Sequence, residues 1–170
     1  MKICSLLLVL FLSATSYSQE PTAVAVTAKD TIAVAFPKPI GVVNDFEEIF
    51  TAEQVKELQK IILDFETETG NQIAVVSLNS IGNYESFEHY AHDLSNEWGV
   101  GSAGRNNGAT LIFSKSLRKI RIATGLGTQE ALTDEECKKI IETAIVPEFK
   151  KGDFYEGCRK GVLALIKEWK

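Results

Sequence analysis

With 170 residues, 45% of them hydrophobic and 24% charged, the chain has ordinary globular composition and the length of one domain. A formal net charge of −5, with Lys and Arg scattered, excludes the basic footprint of a nucleic-acid-binding protein. After the first residues no stretch is long and apolar enough to be read as a membrane-spanning helix.

The chain opens on Met1-Lys2, a short apolar run from Leu6 to Leu12, and the small-residue stretch Ser13 to Ser18. This is the pattern of a secretory signal peptide over residues 1–18, with Ser16 and Ser18 placing cleavage before Gln19. Cys4 precedes the apolar run instead of closing it, which argues against a lipoprotein anchor. The product is expected to be periplasmic or secreted, with no membrane anchor after cleavage. Residues 19–40 hold three of the four prolines and an Ala/Val/Thr repeat without a helical stripe. They read as an extended linker, with an added edge strand as the alternative. The folded domain is expected over residues 41–170.

Thr51-Ala-Glu-Gln54 is a capping box, and Val55, Leu58, Ile61, Ile62 and Phe65 follow at helical spacing up to Gly70. Gln72 to Leu78 predicts a buried strand. Ser86 caps a second helix carrying Phe87, Tyr90, Ala91, Leu94 and Trp98, closed by Gly99. A Gly- and Asn-rich loop, Gly99 to Gly108, then delivers the chain into Ala109–Phe113, a run apolar enough to be buried on both faces. Lys119–Thr124 alternates with period two and predicts an antiparallel partner for that strand. Thr133-Asp-Glu-Glu136 starts a third helix expected to stop near Pro147, and Asp153 starts a last one reaching Trp169. Helices separate the first two strands and outnumber them, so the fold class is α/β: a small mixed sheet with helices on both faces. The crossover through Ser86–Trp98 is expected to be parallel and right-handed.

Two cysteines follow the leader, Cys137 and Cys158, each on the apolar stripe of its helix. A disulfide is permitted outside the cytoplasm, and two buried thiols fit equally; neither cysteine has the flanking cations of a nucleophile. Gly99-x-Gly101-x-x-Gly104 matches the dinucleotide pattern on paper, but it follows a helix and opens a strand, which is the wrong context. His89 and His92 are three apart with no third histidine, so two solvated side chains outweigh a metal pair. No nucleophile elbow and no Walker lysine are present. What remains is a set of oxygen ligands at element ends: Asn44 and Asp45, Asn106 and Asn107, Glu130 and Asp134. Turn and cap roles explain each singly. If they converge, a hard divalent cation, Ca²⁺ or Mg²⁺, is the ligand such oxygens suit.

These stretches resemble the TPM-domain family, found in exported bacterial proteins and in a thylakoid-lumen protein linked to photosystem II repair. The matching pieces are Val43-Asn44-Asp45, Glu68-Thr69-Gly70-x-Gln72-Ile73, Trp98-Gly99-Val100-Gly101, Asn107-Gly108, Arg121 to Gly127, Ala131-Leu132-Thr133-Asp134 and Ile145 to Asp153, in register across residues 42–168. The resemblance implies a three-layer α/β/α sandwich with a Rossmann-like look and, in some members, a Ca²⁺-binding pocket of acidic and amide residues. It also implies acid phosphatase activity for the plant relative, whereas no activity is established for most bacterial members. Many members continue into a C-terminal membrane helix; this chain stops at Lys170, which leads to the expectation of a free periplasmic or secreted protein. Asn106 stands where the family often has Asp, and Gln129 where it often has Glu, with Glu130 next to it. Amides in place of carboxylates weaken cation affinity and weaken a hydrolytic site more.

Two functions follow as expectations. The first is a non-catalytic envelope module that binds a divalent cation through Asn44, Asp45, Asn106, Asn107, Glu130 and Asp134 and acts on other envelope proteins in assembly or quality control. The alternative is a metal-dependent phosphatase acting on phosphomonoesters, with Asp45 or Asp134 as general base.

Overall fold

The structure, a computed structural model, describes residues 36–102 and 104–169. The expected signal peptide and most of the expected linker lie outside the described residues. The last linker residues are held by the domain: Phe36 packs edge-on against Tyr90, and Trp98 Nε1 donates to Pro37 O at 2.8 Å.

Four strands form one sheet in the order β1 (Val43–Asp45), β2 (Gln72–Ser77), β3 (Gly108–Ser114), β4 (Lys119–Thr124). The first three run parallel and β4 is antiparallel to β3, so the sheet is mixed, as the patterning implies. Every residue of β3 is buried, because β3 lies between two strands and between two helical layers. Strand β1 is the element that periodicity misses. Three residues show no alternation, and Asn44 and Asp45, expected in a loop before the first helix, lie within this strand.

Helix α1 (Ala52–Thr69) starts at the Thr51 capping box and ends at Gly70 in the left-handed conformation, φ 71°. Its buried residues Leu58, Ile62 and Phe65 pack on Val43, Ile73, Val75 and Leu111. Side chains alternate along a strand, so Val76 and Ile112 point to the other face, where α2 (Phe87–Trp98) covers them with Phe87, Tyr90 and Leu94. Burying each such side chain contributes about 1.5–3 kcal/mol. The result is the three-layer sandwich.

Both crossovers step the same way along the sheet, β1 to β2 to β3, while α1 and α2 lie on opposite faces. The two are therefore of opposite hand. The right-handed rule, obeyed in about 98% of such units, holds for only one of them.

The third helical pattern does not stop at Pro147. Helix α3 (Asp134–Ile140) runs into a π-helical turn, Ile141–Ile145, and on into α4 (Val146–Lys151), with Pro147 in the first turn of α4. A proline ring clashes with the carbonyl four residues back and donates no hydrogen bond. A π turn just before it loosens that geometry and lets the chain continue. Gly152, φ 87°, ends α4, and Asp153 caps α5 (Phe154–Glu168) by accepting from Glu156 N at 2.9 Å.

Candidate functional site

The six oxygen-bearing residues divide among three places. Asp45 ends β1, and its register partner Ser77 ends β2, so both lie at the C-terminal ends of the parallel strands. The chain leaves β1 toward one face and β2 toward the other. In open α/β sheets this is the point where a crevice forms and ligands bind. Here the chain itself fills it. Asp45 Oδ1 accepts from the Ser77 hydroxyl and Oδ2 from Phe50 N at 2.6 Å, while Ser77 Oγ accepts from Glu47 N at 3.0 Å. The Glu47 carboxylate accepts from Lys115 N at 2.8 Å and Ser116 N at 3.0 Å, tying the β1 loop to the β3–β4 hairpin. Asn44, fully buried, folds the entering segment back: its Oδ1 accepts from Ile40 N at 2.7 Å and its Nδ2 donates to Gly41 O at 2.8 Å.

Asn107 lies just before β3, at the opposite end, since Gly108 pairs with Gln72 at the head of β2. At about 3.3 Å per residue, the length of β2 separates this end from Asp45 by about 16 Å. Asn107 Oδ1 accepts from Ser102 N at 2.9 Å, and its Nδ2 donates to Gly70 O at 2.7 Å and Asn71 Oδ1 at 3.0 Å. Asn106 is exposed with φ 50°, and its carbonyl accepts from Gly127 N at 3.1 Å and from the Thr128 hydroxyl at 3.4 Å. Glu130, exposed, follows two residues after Thr128, so it belongs to the same end.

Asp134 is elsewhere again. It opens α3 beside the outer edge of β4, where Arg121 Nη2 donates to its Oδ1 at 3.1 Å. A cleft of about 380 Å³ runs there, floored by Ile120, Ile122, Cys137 and Ile141 and rimmed by Glu88, Arg121, Asp134, Glu135 and Lys138. Asn106, Asn107 and Glu130 are thus brought to one end, and Asn44, Asp45 and Asp134 are not. The six do not fit one coordination shell, and among the described residues no three His, Cys, Asp or Glu side chains form a group able to hold a metal. His89 and His92 are exposed on α2, with His92 Nδ1 3.2 Å from Asp93 Oδ1.

The TPM-domain family model matches residues 43–168. The chain belongs to the TPM-domain family. A solution NMR structure of the N-terminal domain of a protein from P. gingivalis is similar at 30% identity and a TM-score of 0.68, covering 75% of this chain and 80% of that one. The N-terminal domain of the cg2496 protein from Corynebacterium glutamicum (16% identity, TM-score 0.60, 82% of this chain and 86% of that one) shares the fold. So does the BA42 protein from Bizionia argentinensis, at 24% identity and a TM-score of 0.59, over 74% of this chain and 88% of that one. No curated protein sequence matches.

In this TPM domain the residues that carry the resemblance have visible structural work. Gln72, Asn107 and Gly70 join α1, β2 and β3 at one end of the sheet. A Cβ on Gly127 would lie 1.9 Å from Arg105 O, and one on Gly125 2.2 Å from Asn106 O, so only glycine lets this turn press against the loop before β3. Residue types alone hid the partners that matter here. Ser77 and Glu47 carry no spacing signal, and Gln72 shows through the family resemblance but without the partners it holds.

Proposed function

We propose that this TPM domain is a non-catalytic module of the bacterial envelope, exported through its leader and acting on other exported proteins in assembly or quality control. One observation carries the non-catalytic reading. Asp45 and Asp134, the groups a phosphatase would use as base, lie in different parts of the domain: both Asp45 oxygens are taken, by Phe50 N–H and the Ser77 hydroxyl, while Asp134 is an exposed carboxylate paired through Oδ1 with Arg121. A general base needs a free oxygen beside the nucleophile it activates; Asp45 has no free oxygen, and Asp134 has no metal-holding cluster beside it among the described residues. On this reading divalent-cation contact is confined to the rim of Asn106 and Glu130 and is weak, because one carboxylate and one amide supply few of the six to eight oxygens Ca²⁺ takes.

The test uses p-nitrophenyl phosphate with Ca²⁺ or Mg²⁺. Turnover is expected to stay at the level of the Asp45→Asn and Asp134→Asn variants; activity that disappears in Asp134→Asn overturns the reading in favour of the phosphatase. A Ca²⁺ titration followed by amide shifts is expected to move Asn106 and Glu130 and to leave Asp45 unchanged. The secreted form is expected to begin at Gln19.

A further inference from the structure

We infer that the loop end of this domain is a metal-independent lock, closed by the amide side chains of Gln72 and Asn107. Each amide works in both directions. Gln72 Oε1 accepts from Gly101 N at 2.8 Å while its Nε2 donates to Glu66 Oε1 at 2.7 Å. Asn107 Oδ1 accepts from the next N–H of the same loop, Ser102, at 2.9 Å, while its Nδ2 donates to Gly70 O and Asn71 Oδ1. Two consecutive N–H groups of the glycine loop are thereby clamped to the head of the sheet, and the same two side chains hold the end of α1.

A divalent cation does not take over this arrangement. It coordinates oxygens and accepts no N–H, so an ion cannot stand in for the acceptors of Gly101 and Ser102, which the two amide oxygens already supply. The two NH₂ groups are engaged too, on Glu66 Oε1, Gly70 O and Asn71 Oδ1. The chain's own cation is close by as well: the Arg105 guanidinium nitrogens lie 3.2 Å from where a Cβ on Gly70 would sit, and Arg105 Nη2 donates to Ser102 Oγ at 3.1 Å. Gln72 and Asn107 are positioning residues for the loop that carries Arg105 and Asn106. The inference involves different residues from the cation contact proposed for Asn106 and Glu130, so either can fail alone.

Hydrogen exchange on the full chain tests it. The Gly101 and Ser102 amides are expected to be protected equally in chelator and in Ca²⁺. In Gln72→Met the Gly101 amide is expected to exchange about fivefold to tenfold faster, the loss of one net hydrogen bond, with or without Ca²⁺. In Asn107→Asp, which keeps an acceptor for Ser102 but loses the NH₂, protection is expected to fall and Ca²⁺ to leave it low. Protection in the native chain that appears only with Ca²⁺, or that Ca²⁺ restores in Asn107→Asp, overturns the inference. Should Asn107→Asp fail to fold, the native chain and Gln72→Met still decide it.

Discussion

Arg121 reaches to Asp134 around the edge of β4, which pairs with no strand on that side among the described residues. Arg121 is paired with Ile112 on the α2 face of the sheet, Asp134 opens a helix on the other face, and Nη2 lies 3.1 Å from Oδ1. Gly125 N–H bonds to Gly108 O at 2.9 Å, which sets the phase of the β3–β4 ladder and turns the N–H and C=O groups of Ile120, Ile122 and Thr124 outward. An outward-facing row of this kind is a template for another strand, and a charged side chain laid across it is a common guard. Both partners are substantially exposed, so the ion pair itself contributes at most about 1 kcal/mol. Arg121→Ser is therefore expected to change the urea midpoint little and to promote self-association in sedimentation velocity. A strictly monomeric Arg121→Ser protein rules out the guarding role.

The close approach of α5 to the π turn depends on two glycines four residues apart. A Cβ on Gly161 would lie 2.6 Å from Ile145 Cδ1, and one on Gly157 would lie 2.5 Å from Phe149 Cδ1 and 3.1 Å from Ile145 O. Alanine gains about 1 kcal/mol of helix propensity, whereas overpacking costs about 1–3 kcal/mol. Gly157→Ala meets a backbone oxygen as well as a ring, so it is expected to be the more destabilising of the two in urea unfolding.

Thr110 carries the opposite kind of flaw. It is buried in the centre of β3, and its hydroxyl has no hydrogen-bond partner among the described residues. Thr110→Val keeps the shape and removes the unpaired polar group, so stability is expected to rise by about 1 kcal/mol. A loss in the denaturation midpoint would show that the hydroxyl has a partner in solution.

Both thiols are predicted to be silent. Cys137 is buried, and that burial pushes its thiol up to about 11; Cys158, fully buried, is shifted upward for the same reason. Ellman's reagent is expected to titrate neither in the native protein at neutral pH and both after denaturation.

Glu148 joins α4 to α5, accepting from Lys160 Nζ at 2.7 Å and Lys151 Nζ at 2.9 Å. Those two bonds, Lys160 first, hold its carboxyl below the usual range. A carboxylate depressed in the folded state stabilises the protein above its unfolded-state value and loses that contribution as pH falls through the folded one. The stability difference between the native chain and Glu148→Gln is thus expected to be full near neutral pH and to shrink below about pH 4, read from urea midpoints across pH.

Local chemistry made much of this fold legible in the chain itself. The Thr51 and Thr133 capping boxes, the Ser86 cap, the stops at Gly70 and Gly99, and the antiparallel pairing of β4 all stand where residue type and spacing place them, because each depends on neighbours only a few positions away. The same short-range patterns, taken together across the domain, carried the family. Strand β1 was not legible, since three residues show no period and their pairing with β2 lies across an 18-residue helix. The run through Pro147 was not legible either, because the π turn that accommodates the proline packs against Gly157 and Gly161 from a later helix.

The candidate site shows the same division. That Asn, Asp and Glu gather at the ends of elements follows from the sequence. Which of those ends meet follows from strand direction, and parallel strands carry Asp45 and Asn107 to opposite ends of the sheet. Only the tertiary structure decides that, because strand direction is set by helices folding back over the faces and by long-range burial, which no local spacing encodes.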